Sequence, residues 1–165
     1  MLWWTAEDAK QLQPLGQAWP PMAIPTRATS HGTFSITTQT HNRRTLFLVT
    51  ATAELLIETL HHYRREGHYK LHAFVVMPDH IHLLLTPIDI TLERSIQLIK
   101  GGFSHRLAPT LPIWQRSFTD RRMRDHDDFL THRTYIHHNP VRARLCQLPE
   151  DYPYSSAHLK PIPSV

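Results

Sequence analysis

The chain has 165 residues, 41% of them hydrophobic, with a formal net charge of +4 and one cysteine. That length suits a single domain, and no apolar run approaches the ~20 residues of a membrane span. The lone Cys146 excludes an internal disulfide and a Cys-rich zinc site, so metal binding would have to rest on His, Asn, Asp or Glu. The start MLWWTAEDAK has no basic stretch followed by an apolar one, which sets a cytoplasmic protein as the expectation.

In chain order, residues 1–30 read as an N-terminal arm, because Pro14, Pro20, Pro21 and Pro25 interrupt any helix or central strand. GTFSITTQT is rich in β-branched residues and predicts a first strand, after which HNRR leads into a helix. ATAELLIETLHHYRREG places Leu56, Leu60 and Tyr63 at helical spacing, with Gly67 as its stop. YKLHAFVVM predicts a second strand, PD a tight connection and HIHLLLT a third strand. Thr91 is a helix cap for an apolar side through Leu92, Ile96, Ile99 and Phe103. IWQRSFT reads as a fourth strand, and Asp125 caps a last helix through DFLTHRTYIHHN. The order β-α-β-β-α-β plus one helix predicts an α+β, ferredoxin-like split βαβ fold. Its antiparallel four-stranded sheet has helices on one face, the other face being left for a ligand.

The charge is unevenly placed. Residues 91–144 hold ten Arg and Lys against five acids. Arginine dominates, which suits bidentate contact with phosphate as well as it suits a solvated basic face. Arg43, Arg44, Arg116, Arg121, Arg122 and Arg124 are the candidates for tracking a nucleic-acid backbone. Trp114 is a possible stacking platform, with core packing the stronger reading.

Within the third predicted strand, His80 and His82 are two residues apart and stand on one face, with Ile81 and Leu83 on the other. Two imidazoles aimed at one point are half of a site for a divalent cation. They are also what a His-rich chain produces by chance on a solvated strand. In RTYIHHNPVRARL, Tyr135 and Asn139 are one helical turn apart. Tyr135 lies off the apolar stripe of Phe129, Leu130 and Ile136, as either a surface residue or a nucleophile would. Asn139 before Pro140 also reads as an N-cap and first-turn proline, ending one helix and starting another.

MPDHIHLLLTP, IKGGFSHRL, IWQRSFTDRRMRD, YIHHNPVRARL and EDYPYSSAHL together resemble the REP-associated tyrosine transposases, relatives of the single-tyrosine HUH transposases of bacterial insertion sequences. The resemblance runs from about residue 31 to 158, leaving a tail at 159–165. It implies Tyr135 as the catalytic tyrosine, and His80, His82 and Asn139 as ligands of Mg²⁺ or Mn²⁺. The implied substrate is single-stranded DNA beside a REP-like hairpin, cut through a 5′-phosphotyrosine. Asp79 and Asp120 are candidates to support the ligands, though each also fits a turn or a strand end. The resemblance further implies a monomer rather than a dimer that exchanges tyrosine helices. Two other readings stand beside it: a hairpin-binding protein of the same fold with little or no catalysis, and a metal-dependent hydrolase of small phosphates. The missing Gly-rich phosphate cradle argues against the second.

Overall fold

The computed structural model describes residues 31–158, so the expected arm and tail lie outside the described residues. The first strand, β1 (Phe34–Gln39), alternates buried and half-buried positions, as a strand with two unlike faces must. Phe34 and Ile36 join one core, while Ser35, Thr37 and Gln39 face the other way. HNRR does not enter the helix directly. Two 3-10 turns, His41–Arg43 and Leu46–Leu48, intervene, with Asn42 and Arg43 at positive φ. Helix α1 (Thr50–Arg65) follows, and Gly67 leaves it at φ +79°, a conformation glycine adopts without steric cost.

Strands β2 (Tyr69–Met77) and β3 (His80–Pro87) form a hairpin across Pro78 and Asp79. Helix α2 (Leu92–Leu107) begins as the sequence predicts, with the Thr91 hydroxyl accepting from the Arg94 backbone N–H at 3.1 Å. The fourth strand needs correction. IWQRSF makes only an isolated bridge, Trp114 to Thr40, and the strand begins at the last residue of the predicted segment: β4 is the polar stretch Thr119–Arg122. Ile113 and Trp114 are apolar because they pack into the core beside α2, and Trp114 stacks obliquely on Phe47 and Phe103. β4 can be polar because it is an edge strand, paired on one side with β1.

All pairings are antiparallel and the strand order is β2-β3-β1-β4, the ferredoxin-like arrangement. α1 and α2 cover one face over Ile36, Phe74, Val76, Ile81, Leu83 and Leu85. The opposite face is not wholly open, as the sequence suggested. A third helix, α3 (His126–Arg142), packs over β2 and β3 through Ile136 and Phe129, against Ala73, Val75, Met77 and Leu84. This explains why β3 reads Leu83-Leu84-Leu85: it is a central strand buried from both sides. Only the β1–β4 half of that face lacks a helix.

α3 is capped by Asp125, whose Oδ1 accepts from the Asp128 N–H at 2.8 Å. The cap reading of Asn139 is overturned, because α3 runs through Asn139-Pro140 without a break. Pro140 has no N–H for the Ile136 carbonyl, so α3 gives up one hydrogen bond there, and the helix ends two residues on. The Asn139 side chain turns back to donate from Nδ2 to the Tyr135 carbonyl at 2.9 Å. Beyond α3, residues 154–156 run along the outer edge of β2. The Val76 N–H donates to Tyr154 O (2.8 Å), and the Ser156 N–H to Phe74 O (2.9 Å). That edge is therefore covered rather than open to another strand.

Candidate active site

His80 and His82 lie on the α3 side of β3, the side opposite Ile81 and Leu83, as their spacing requires. Their rings are 4.9 Å apart and nearly perpendicular. Each is fixed through Nδ1. His80 Nδ1 donates to Asp79 Oδ1 at 2.6 Å, and Asp79 Oδ2 accepts from Arg43 Nε at 2.9 Å. Burial alone would raise the Asp79 carboxyl, but the hydrogen bonds from His80 and Arg43 hold it below the ordinary carboxylate range. His82 Nδ1 meets Thr37 Oγ1 at 2.8 Å, directly across the β1–β3 pairing. Asp79 accepts at Nδ1, so a neutral His80 ring keeps its lone pair on Nε2; the Thr37 hydroxyl can donate or accept, and where it accepts, His82 does the same. Burial, and secondarily the charge of His80, pushes the His82 imidazole down to about 4, so it is neutral near pH 7.

α3 brings Tyr135 over this pair from the same chain. The Tyr135 ring lies 5.9 Å from that of His82, edge to face at 80°. It is 42% exposed, a large exposure for an aromatic ring seated against a sheet. The Arg142 guanidinium, two helical turns on, sits 5.1 Å over the tyrosine ring, a cation–π contact that also places a positive charge at the rim. Asn139, one turn from Tyr135, uses Nδ2 on the backbone and so keeps its amide oxygen as an acceptor. Among the described residues, no three His, Cys, Asp or Glu side chains gather about one point. An ion held here would rest on two imidazoles and neutral oxygens. Two imidazoles, each oriented by a hydrogen bond at Nδ1, fit that role.

The predicted arginines do not act as one patch. Arg43 supports Asp79. Arg44 is folded onto backbone, its guanidinium donating to Pro112 O. Arg121 and Arg124 both bind the buried Asp128 carboxylate, at 3.1 and 3.3 Å, yet keep more than half of each side chain exposed. The alternation of β4 puts Arg121 on the histidine face and Arg122 on the other, where its guanidinium packs against Gly32. Arg116 is exposed on the segment before β4. Trp114 is core, and its indole N–H donates to Lys100 O at 3.2 Å. Sequence reasoning passed over Arg142 and Thr37. The first was legible as seven residues, two turns, from Tyr135. The second depends on the β1–β3 register and left no local signal.

A ferredoxin-like sheet carrying a His-hydrophobic-His pair, with a tyrosine laid over it from a C-terminal helix, defines a single-tyrosine HUH-type protein. The transposase IS200-like family matches residues 28–139, and the chain belongs to that family. Within it, the chain falls with the REP-associated tyrosine transposases. It is 30% identical over 129 residues to the REP-associated tyrosine transposase of Escherichia coli K12, covering 77% of each protein. A Haemophilus influenzae relative is 34% identical over 101 residues, 52% of this chain and 57% of its own. The fold also matches a solved REP-associated tyrosine transposase bound to a REP hairpin. The TM-score is 0.71 and the identity 28%, over 83% of this chain and 84% of that one.

Proposed function

We propose that the protein nicks and rejoins single-stranded DNA beside REP-like hairpins, with Tyr135 as nucleophile and a divalent ion, Mg²⁺ or Mn²⁺, held by His80, His82 and Asn139. The observation that carries this reading is the approach of Tyr135 to the His80–His82 pair within one chain. Family membership and the hairpin bound to the solved relative support the substrate class.

When bound, the ion polarises the scissile phosphate and neutralises charge that develops on its oxygens. The chain's own residues do the rest. Thr37 and Asp79 orient the imidazoles through Nδ1, and Asp79 sets the His80 tautomer that leaves Nε2 for coordination. Arg142 holds the Tyr135 ring and supplies a cation where the phosphate enters. The Tyr135 oxygen attacks phosphorus, forming a 5′-phosphotyrosine as the bond to the leaving 3′-oxygen breaks. A later 3′-hydroxyl reverses the step without ATP, because the bond energy is kept in the ester. Arg43 and Arg44 serve the site as supports. Arg121, on the histidine face, and the exposed Arg116 and Arg124 would track the DNA backbone, whereas Arg122 points to the other face of the sheet. The tyrosine lies on its own sheet and residues 154–156 cover the β2 edge, which supports a monomer.

The test uses an end-labelled single-stranded hairpin oligonucleotide with Mn²⁺. Wild type should give a covalent protein–DNA adduct, and Tyr135→Phe should give none while still retarding the DNA in a gel. Retardation by wild type without any adduct would contradict the enzyme reading and leave a hairpin-binding protein.

A further inference from the structure

Helices α1 and α2 cover the face of the sheet opposite the histidines, and between them lies a cavity of about 530 Å³. That volume falls in the range of about 300–1,000 Å³ usual for small-molecule sites. Leu56, Leu60, Ile96, Ile99 and Phe103 turn inward to the sheet, so the cavity opens on the solvent side of the helix pair. The whole sheet separates it from Tyr135 and the histidine pair.

Two adjacent glycines shape its floor. Glycine is a poor residue inside a helix, yet Gly101 and Gly102 both lie within α2. Gly102 is required by packing: a Cβ there would run into the Tyr63 phenol, which reaches across from α1. Gly101 has no such neighbour. Nothing lies within 4 Å of where its Cβ would be, so its missing side chain only keeps the cavity open. Leu98 and this bare stretch of main chain leave an apolar floor that a planar ring can approach closely.

The rim is cationic. Arg65, Arg94 and Arg106 border the cavity with Glu58 as the one acid, a surplus of two positive charges. Glu58 is spent on Arg106, at 2.6 Å, and Arg106 also reaches the Thr59 hydroxyl at 3.2 Å. The Arg94 guanidinium donates to the neutral Gln97 carboxamide at 2.9 Å. Among the described residues, neither Arg65 nor Arg94 is paired with a carboxylate. Burial pushes the Tyr63 phenol up while the charges of Arg94 and Arg106 pull it the other way, so its hydroxyl stands near both guanidiniums and keeps its proton to donate. Guanidiniums and a phenol are donors for a phosphate, and a surplus of two charges matches the dianion of a phosphate monoester. A DNA strand would need cations in a row, whereas these border one slot.

We propose that the α1–α2 cavity binds a small phosphate monoester with a planar body, of the nucleoside monophosphate class, with Arg65 and Arg94 on the phosphate and the ring over Gly101 and Gly102. The site is independent of the nicking reaction. A ligand there bridges α1 and α2 behind the sheet and so stabilises the folded chain.

The experiment reads binding, so it does not depend on cleavage. Full-length protein is titrated by calorimetry with AMP, GMP, CMP and UMP in turn, then with the matching nucleosides and with inorganic phosphate. At least one monophosphate should bind one to one and raise the Tm. Its nucleoside and inorganic phosphate should each bind about tenfold or more weakly, because floor and rim act on different halves of the ligand. Arg94→Ala should weaken binding about 10- to 100-fold, the range for a charge-assisted hydrogen bond. Gly101→Leu should abolish binding by filling the slot, while the Tm of the free protein holds or rises, since leucine suits a helix better. The site is overturned if none of the four monophosphates binds up to about 1 mM, or if inorganic phosphate binds as tightly as the best of them. It is equally overturned if Gly101→Leu binds like wild type, or if a REP-like hairpin displaces the nucleotide, which would make the slot part of a DNA surface.

Discussion

Replacing Ile136 with alanine should loosen the tyrosine helix more than any other single change within it. Ile136 and Pro140 are the buried apolar residues of α3, and Ile136 is fully buried among Ala73, Val75, Met77, Leu84 and Tyr152. The substitution removes three carbons. At about 0.8 kcal/mol per buried methylene, the transfer loss is about 2.4 kcal/mol. An unrelaxed cavity adds to it, placing the total near 3 kcal/mol within the roughly 2–5 kcal/mol range for such changes. For a chain of this size that corresponds to a fall in Tm of about 6–12 °C. Because α3 is anchored on β2 and β3, amide exchange should accelerate first within α3, and adduct formation should fall while hairpin retardation persists. Thermal unfolding by circular dichroism and hydrogen exchange by mass spectrometry measure both. A Tm change below about 2 °C, or exchange that rises uniformly across the sheet, would refute the idea that this side chain fastens the helix.

Asp79→Ala removes the carboxylate behind His80, and Mn²⁺ affinity measured by calorimetry should drop about 10- to 100-fold, as for other groups that orient a metal-binding imidazole; an unchanged affinity would count against the metal role of His80. Burial pushes the Lys100 ammonium down to about 8, below the usual lysine value. Between pH 8 and about 10.5 the unfolded chain therefore holds the extra proton, and this group makes stability rise with pH across that window. Its Cε resonance should titrate near 8 in an NMR series, and Lys100→Met should flatten the rise; a midpoint above 10 would contradict the burial argument. Arg142→Ala should lower the rate of adduct formation about tenfold and leave folding intact, since its guanidinium lies on an exposed ring.

Much of the fold was legible because the local signals agree with the tertiary ones. Thr91 and Asp125 cap the helices they were expected to cap, Gly67 ends α1, and His80 and His82 share a face because strand geometry leaves no alternative. The misplaced fourth strand shows where such signals fail. An edge strand needs no apolar alternation, so TDRR carried none, while the apolar IW beside it belongs to core packing outside any ladder. Asn139-Pro140 failed for a similar reason. The helix carries Pro140 within its last turn, and the Asn139 side chain bonds back to Tyr135 rather than capping a new helix. The approach of Tyr135 to His82 was expected from the family resemblance and not from spacing, since 52 residues of chain separate them and only the docking of α3 closes the gap. Thr37 depended on strand register, which no short motif encodes.

The most direct measurement is the site of attachment in the covalent adduct. Wild-type protein is reacted with a hairpin oligonucleotide and Mn²⁺, digested with nuclease and trypsin, and sequenced by tandem mass spectrometry. The account predicts a nucleotide phosphate on Tyr135, within the tryptic peptide 134–142. Attachment at any of the other four tyrosines, or at a serine or histidine, would contradict it.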